Sequence, residues 1–387
     1  MNAAPRALLA VLAAGALSCA RPAADPPRPS TGSGAAGPPQ IWSYEVSVDH
    51  GTLDVVGAFS AGGATTFSLE DAATRFVSDV DIGGRRADAK NGVWTLEECN
   101  RGCTVRYRFH LDQAAEALKD VDTAMPFKGG FEAPPSSWLL RPTDLTGPTT
   151  FRFHVVSAEG SHFATGVRPS PGAADSYGAD ANDLDTAPYT LLGDFRTRTL
   201  ARADATIELA YLPGHLQLDD AAFDRWIDLS ARAIDAYYGH FPVKRLLLIV
   251  AQPDTHGSEL VEGRTLASGG ASILLAVNGK MTAADIPRDW VLTHEMTHLA
   301  LATLRREYHW LEEGTATYVE PIARAMVGTI PVEEVWKGLV EGLPQGEPEA
   351  GDQGLDRTHT WGRTYWGGAL FCTMADVEIR RRTGGRK

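Results

Sequence analysis

The chain has 387 residues, 43% of them hydrophobic and 22% charged, a globular composition with room for two domains that argues against wholesale disorder, collagen-like repeats or a polytopic membrane protein. Its 36 Lys and Arg stand against 49 Asp and Glu, and the net charge of −13 opposes binding to a phosphate backbone, so nucleic acid is not an expected partner. Four cysteines are too few for a disulfide scaffold, and a chain of this size buries a core without one.

Residues 1–19 read as an export signal: Arg6 gives a positive start, and residues 7–17 form an apolar run too short to cross a bilayer as a helix. Ala16-Leu17-Ser18-Cys19 resembles the bacterial lipoprotein signal, in which the cysteine becomes the lipidated first residue of the mature chain. That implies an enzyme held in the cell envelope by an N-terminal lipid; plain secretion is the alternative. Residues 20–40, rich in Pro, Gly, Ser and Ala, have too few bulky apolar side chains to fold and read as a flexible tether.

From 41 to 213 the apolar residues recur with period two. Trp42, Tyr44, Val46 and Val48 alternate with polar neighbours, as do Val105, Tyr107 and Phe109, and then Phe151, Phe153 and Val155. Many short strands separated by Gly, Pro and Asp predict an antiparallel β-sandwich-like domain. Cys99 and Cys103 flank Asn100-Arg101-Gly102, where export to an oxidising space favours a small local disulfide. Cys372, in an apolar helix-like stretch, is expected to be a buried free thiol.

After Gly214 the period becomes helical, with Phe223, Trp226, Ile227, Ile234, Tyr237 and Tyr238 at three-, four- and seven-residue steps. Residues 244–252 hold the run Leu246-Leu247-Leu248-Ile249-Val250, a buried strand, and 271–277 form another behind Gly269-Gly270. Helices are predicted over 288–304, 310–326, 332–343 and 363–383, so residues 214–387 form an α+β domain.

His294-Glu295-Met296-Thr297-His298 is the sharpest chemical signal. Residues four apart on a helix point the same way, so both imidazoles can reach one metal ion, and Glu295 sits close enough to meet water there without being a ligand. A catalytic zinc site has three protein ligands and an open position. Trp310-Leu311-Glu312-Glu313-Gly314-Thr315-Ala316-Thr317-Tyr318 follows, and the two motifs together resemble the gluzincin metallopeptidases, in which the Glu before the Gly completes the zinc site. The resemblance assigns Glu313 as third ligand. Fourteen residues separate it from His298, fewer than in the M1 aminopeptidases of that clan, which implies a shorter turn between the helices. Glu312 competes, but points about 100° away on the same helix. Glu320, seven residues beyond Glu313, returns to its face; it reads either as a partner for the free nitrogen of a ligating His or as a solvated acid before Pro321.

Tyr365-Trp366-Gly367-Gly368 followed by Ile379-Arg380-Arg381-Arg382-Thr383-Gly384-Gly385 is similar to the M61 glycyl-aminopeptidase family, and Tyr365 matches the oxyanion-donating Tyr of the related M1 enzymes; an aromatic core residue is the alternative. The resemblance also implies a Gly-rich strand lining the substrate cleft, here Gly269-Gly270-Ala271-Ser272, although Ser272-Ile273 replaces the acidic residue that binds a substrate amine in M1 enzymes. Glu262 lies upstream at an unsuitable spacing. His359 reads as a second transition-state donor or a structural histidine, and His256 and His309 as ordinary surface or turn residues.

The expected architecture is therefore multidomain: an all-β sandwich-like N-terminal domain, then an α+β thermolysin-like (gluzincin) catalytic domain. The resemblance implies one Zn²⁺ per chain on His294, His298 and Glu313, with Glu295 as general base, Tyr365 as oxyanion donor, and a peptide or protein substrate. Two rivals are a catalytically silent zinc-binding envelope scaffold and a same-clan hydrolase of a non-peptide bond.

Overall fold

The computed structural model describes residues 39–60, 64–143, 147–157, 160–172, 175–252 and 260–385. The expected export signal with Cys19, the tether up to residue 38, and His256 lie outside them.

The first half is built on a seven-stranded sheet in the order Ser176–Asp180, Thr149–Val156, Gln40–Asp49, Thr52–Phe59, Cys103–His110, Val77–Ile82 and Arg85–Arg86. Side chains of Gln40–Asp49 alternate between buried and exposed, as the period-two pattern predicted. Smaller sheets of three and four strands accompany it. Their residues Phe67, Trp94 and Leu192 share one core with Trp42, Tyr44, Phe109 and Phe153 of the large sheet. The expectation of a purely antiparallel, all-β domain needs two corrections. Gln40–Asp49 runs parallel to Thr149–Val156, with Trp42 opposite Phe151 and Tyr44 opposite Phe153, because long intervening chain permits a crossover. An eight-residue helix, Leu111–Leu118, also follows the strand ending at His110. Cys99 and Cys103 are bonded, their Cα atoms 4.7 Å apart.

The second half centres on a five-stranded sheet in the order Arg196–Ala201, Thr206–Tyr211, Arg245–Ala251, Ser272–Val277 and Val261–Leu266. The hairpin Arg196–Tyr211 thus joins this sheet, with Leu209 opposite Leu248, although a boundary at 213 assigns it to the first half. Period two identifies a strand but not the sheet that strand joins. The central run 246–250 is apolar throughout because both its faces are covered. Leu246, Leu248 and Val250 pack with Phe223, Trp226 and Ile234 of the helix Asp220–Tyr238. Leu247 and Ile249 pack with Tyr189, Leu191 and Phe195 of the first half. Helices then follow at Val291–His298, His309–Met326, Val332–Gly342 and Gly368–Thr383, the last preceded by a π-helical turn at Gly362–Gly367; the second and third lie close to the predicted spans, whereas the motif helix expected over 288–304 is only eight residues long. Cys372 is a free thiol, only half-buried, 3.7 Å from Thr315 Oγ1.

Candidate metal centre

The motif helix Val291–His298 is pinned at its start by Asp289, which accepts hydrogen bonds from the Leu292 N–H (3.2 Å) and from Trp226 Nε1 (2.9 Å) of the preceding helix. Its residues from Val291 to Thr297 are all buried, so the two imidazoles face inward in a fixed frame. The His294 and His298 rings lie 5.0 Å apart. From the next helix, His309–Met326, Glu313 places Oε2 at 3.2 Å from His294 Nε2 and 3.9 Å from His298 Nε2. Tetrahedral zinc with bonds of 2.0–2.1 Å needs ligand atoms about 3.3 Å apart; the 3.2 Å separation matches that spacing and the 3.9 Å one is somewhat longer. His294, Glu295 and His298 also offer atoms within 4.8 Å of one another, but the Glu295 carboxylate is already engaged.

Glu313, and not Glu312, sits between the imidazoles. Glu312 Oε1 accepts the Leu304 N–H (2.6 Å), and its Oε2 lies 3.2 Å from His309 Nδ1. The electrostatics suit a cation. Burial would raise the pKa of Glu313, but the His298 and His294 imidazoles outweigh it and hold the carboxyl at about 2. Burial lowers His298 to about 4. His294 also loses solvation, yet the carboxylates of Glu313 and Glu295 raise it on balance.

Glu295 is buried, and its Oε2 accepts a 2.7 Å hydrogen bond from Thr265 Oγ1. Burial pushes its pKa up to about 7, the range in which a carboxyl can both take and return a proton near neutrality. Tyr365 closes the other side: its ring stacks at 6.4 Å from that of His294 and 6.0 Å from that of Trp361. Burial and the Glu313 and Glu295 carboxylates hold the phenol well above its usual pKa, so it keeps its proton. The π-helical turn carries it, a local departure from α geometry of the kind found at functional sites.

Two expectations are revised. Gly269-Gly270-Ala271-Ser272 do not line a cleft. The Gly269 carbonyl accepts from Arg168 N–H (3.1 Å), the Ala271 N–H donates to the Gly166 carbonyl (2.9 Å), and Ser272 Oγ accepts the Tyr189 N–H (2.9 Å). All four are buried in the seam with the first half, because the edge of the sheet belongs to Val261–Leu266 instead. Glu320 bonds Arg324 Nη1 (2.8 Å) rather than a ligating imidazole, and acts on His294 through its charge. His359 is exposed, with no hydrogen bond or ion pair among the described residues.

The edge strand Val261–Leu266 supplies what the sequence did not signal. Thr265 holds Glu295, and Gly263 lies so close that a Cβ there would stand 2.3 Å from Glu295 Cγ. Arg264, on the opposite face of the strand, pairs with Asp122 of the first half at 2.5 Å. Near them lies Glu132, wholly buried and with no hydrogen-bond partner on either carboxylate oxygen among the described residues; burial, Asp122 and Asp120 raise its pKa well above the usual range. His309 is the other omission, and its position one helical turn before Glu313 was the available signal.

Among solved structures, the chain is similar to an aminopeptidase N family protein from Idiomarina loihiensis, at 16% identity and a TM-score of 0.65 over 89% of this chain and 68% of that one. The fold is similar to that of the Idiomarina protein and of solved M1 zinc metallopeptidases. An M1 zinc metallopeptidase from Deinococcus radiodurans aligns at 15% identity and a TM-score of 0.51 over 86% of this chain and 80% of that one. A mutant M1 zinc metallopeptidase from the same organism, bound to a Tyr-Ser-Ala substrate, aligns at 14% identity with the same score and coverage. No family model matches the sequence, and no curated protein does.

Proposed function

We propose that the protein is a zinc-dependent peptidase that removes residues from the free N-terminus of peptides. The observation that carries the zinc site is the placement of Glu313 Oε2 at 3.2 and 3.9 Å from two imidazole nitrogens, beside a buried Glu295 that neither contact needs. Zn²⁺ held by His294, His298 and Glu313 would supply Lewis-acid polarisation of a carbonyl and a lowered pKa for water. Glu295 takes the proton of the attacking water on its carboxylate and passes it to the departing amine, while Thr265 keeps that carboxylate aimed. The Tyr365 hydroxyl donates to the carbonyl oxygen as negative charge builds on it. The edge strand Val261–Leu266 offers backbone groups to which an extended peptide can add as a further strand.

Cleavage at the N-terminus is supported by charge. Asp120 and Asp122 gather beside the single guanidinium of Arg264, and this excess of carboxylates favours an ammonium group, while the buried Glu132, with its pKa raised, adds a polar wall and no charge. The acidic function missing from Ser272-Ile273 is thereby supplied from the first half. The similarity to M1 enzymes and the M61-like segment at Tyr365 agree with this reading.

The test is Glu295→Gln in the purified chain, assayed on aminoacyl fluorogenic substrates and on their N-acetylated forms. Zinc content is expected to stay near that of the parent chain while turnover falls by a factor on the order of 10² to 10⁴, and acetylation is expected to abolish cleavage by the parent chain. Unchanged turnover in the variant removes Glu295 from the mechanism, and equal cleavage of acetylated substrates removes the N-terminal assignment.

A further inference from the structure

His309 opens the helix that carries Glu313, and both its ring nitrogens face carboxylates. Nδ1 is 3.2 Å from Glu312 Oε2 and Nε2 is 3.5 Å from Glu313 Oε1. Glu312 is itself tied down, because its Oε1 accepts the backbone N–H of Leu304 in the turn between the two ligand-bearing helices. The other Glu313 oxygen, Oε2, is the one that faces His294 and His298. The last torsion of a Glu side chain is broad and roughly two-fold, so an unbraced carboxylate can turn either oxygen, or both, toward a cation.

We propose that His309 is a positioning residue: braced by Glu312, it holds Glu313 so that a single oxygen, Oε2, is presented to Zn²⁺. The inference rests on the zinc site proposed above and adds what keeps its third ligand aligned. Helix geometry makes the arrangement possible, since positions three and four residues after His309 share its face. The brace sits at the rim, with the His309 side chain 50% exposed and those of Glu312 and Glu313 only 12% and 11% exposed. The same contacts couple the short connection after His298 to the ligand, because the Leu304 N–H, Glu312, His309 and Glu313 form one continuous series. Loss of a partner that orients a metal ligand typically weakens metal binding by about 10- to 100-fold.

The test measures the Zn²⁺ affinity of the chain by chelator competition and the visible absorption of its Co²⁺ form, which reports how the carboxylate meets the ion. His309→Leu is expected to raise the zinc dissociation constant on the order of tenfold and to alter the Co²⁺ spectrum, while the melting temperature of the zinc-free chain stays unchanged. His309→Gln, whose amide can donate toward Glu313 Oε1, is expected to recover most of the affinity. Glu312→Gln, which keeps an oxygen for the Leu304 N–H, combined with His309→Leu is expected to add little to His309→Leu alone, because what it removes is the charge facing His309. Wild-type affinity and spectrum in His309→Leu, no recovery in His309→Gln, or additive losses in the double variant would each overturn the inference and leave the zinc site standing. A parent chain that takes up no stoichiometric zinc overturns the site itself, and the inference with it.

Discussion

Gly263 shows how tightly the general base is held. The face of its strand that carries Gly263 and Thr265 looks onto Glu295, Thr265 by a hydrogen bond and Gly263 by leaving no room for a side chain. In Gly263→Ala the new methyl must displace the Glu295 side chain, since it would stand 2.3 Å from Cγ and 2.8 Å from Oε1. Misplacing a reacting group by about 1 Å costs on the order of 10²-fold in rate, so kcat of the variant is expected to fall by that order while its zinc content is retained. A variant with parental kcat removes Gly263 from the positioning of Glu295. The pair His294 and His298 was legible in the sequence because ligands four apart need only local helix geometry. Thr265 and Gly263 were not, because their contact with Glu295 spans about thirty residues and depends on which strand takes the edge of the sheet.

At the scale of elements, the two motif segments at Glu312-Glu313-Gly314 and Tyr365-Trp366-Gly367-Gly368 meet where their helices cross. A Cβ on Gly314 would lie 2.3 Å from Gly368 Cα, and one on Gly368 would lie 2.2 Å from the Trp310 carbonyl. Both glycines therefore allow backbone-to-backbone approach, which sets the separation between the helix bearing the third ligand and the turn bearing Tyr365. Periodicity located these helices to within a few residues but contains no information about their crossing. Gly314→Ala is expected to lower unfolding free energy by about 1–3 kcal/mol, the usual cost of overpacking. It is also expected to reduce kcat, as Tyr365 moves away from the metal ligands. Denaturant unfolding and steady-state kinetics on the same sample check both, and a fully stable, fully active variant would show that the crossing has slack. The hairpin Arg196–Tyr211 is placed by a different match of periods. Arg196 and Arg198, two apart on a strand, pair with Asp220 and Asp224, four apart on the helix Asp220–Tyr238, at 2.8–2.9 Å for their closest well-formed bonds. Such pairing between distant segments is invisible to a boundary drawn from the change of period alone.

Across the whole molecule, the two halves are joined at a seam that the sequence presented as a substrate strand. Gly269-Gly270 invites that reading, since close backbone approach is the common property of glycines beside a ligand and glycines beside another strand. Here the approaching backbone is the chain's own: a Cβ on Gly270 would stand 2.1 Å from the Gly166 carbonyl oxygen. Ser272 decides between the two roles. Its hydroxyl is fully buried and is the acceptor for the Tyr189 N–H at 2.9 Å, in the layer where Tyr189, Leu191 and Phe195 cover the Leu247 and Ile249 face of the second sheet. Ser272→Ala leaves that buried N–H without a partner, at a cost of about 1–3 kcal/mol. A seam residue should therefore lower the urea midpoint of the chain and leave KM for an aminoacyl substrate unchanged. A substrate-lining residue should do the reverse, raising KM with the midpoint unmoved, and that result would return the Gly269–Ser272 segment to the cleft. The outcome matters beyond one hydroxyl, because Asp120 and Asp122 reach the neighbourhood of Arg264 from the first half. If the seam loosens, those carboxylates should withdraw from the edge strand, so a stronger opening of the same contact by Gly270→Val is expected to weaken selection for a free N-terminus as well as stability.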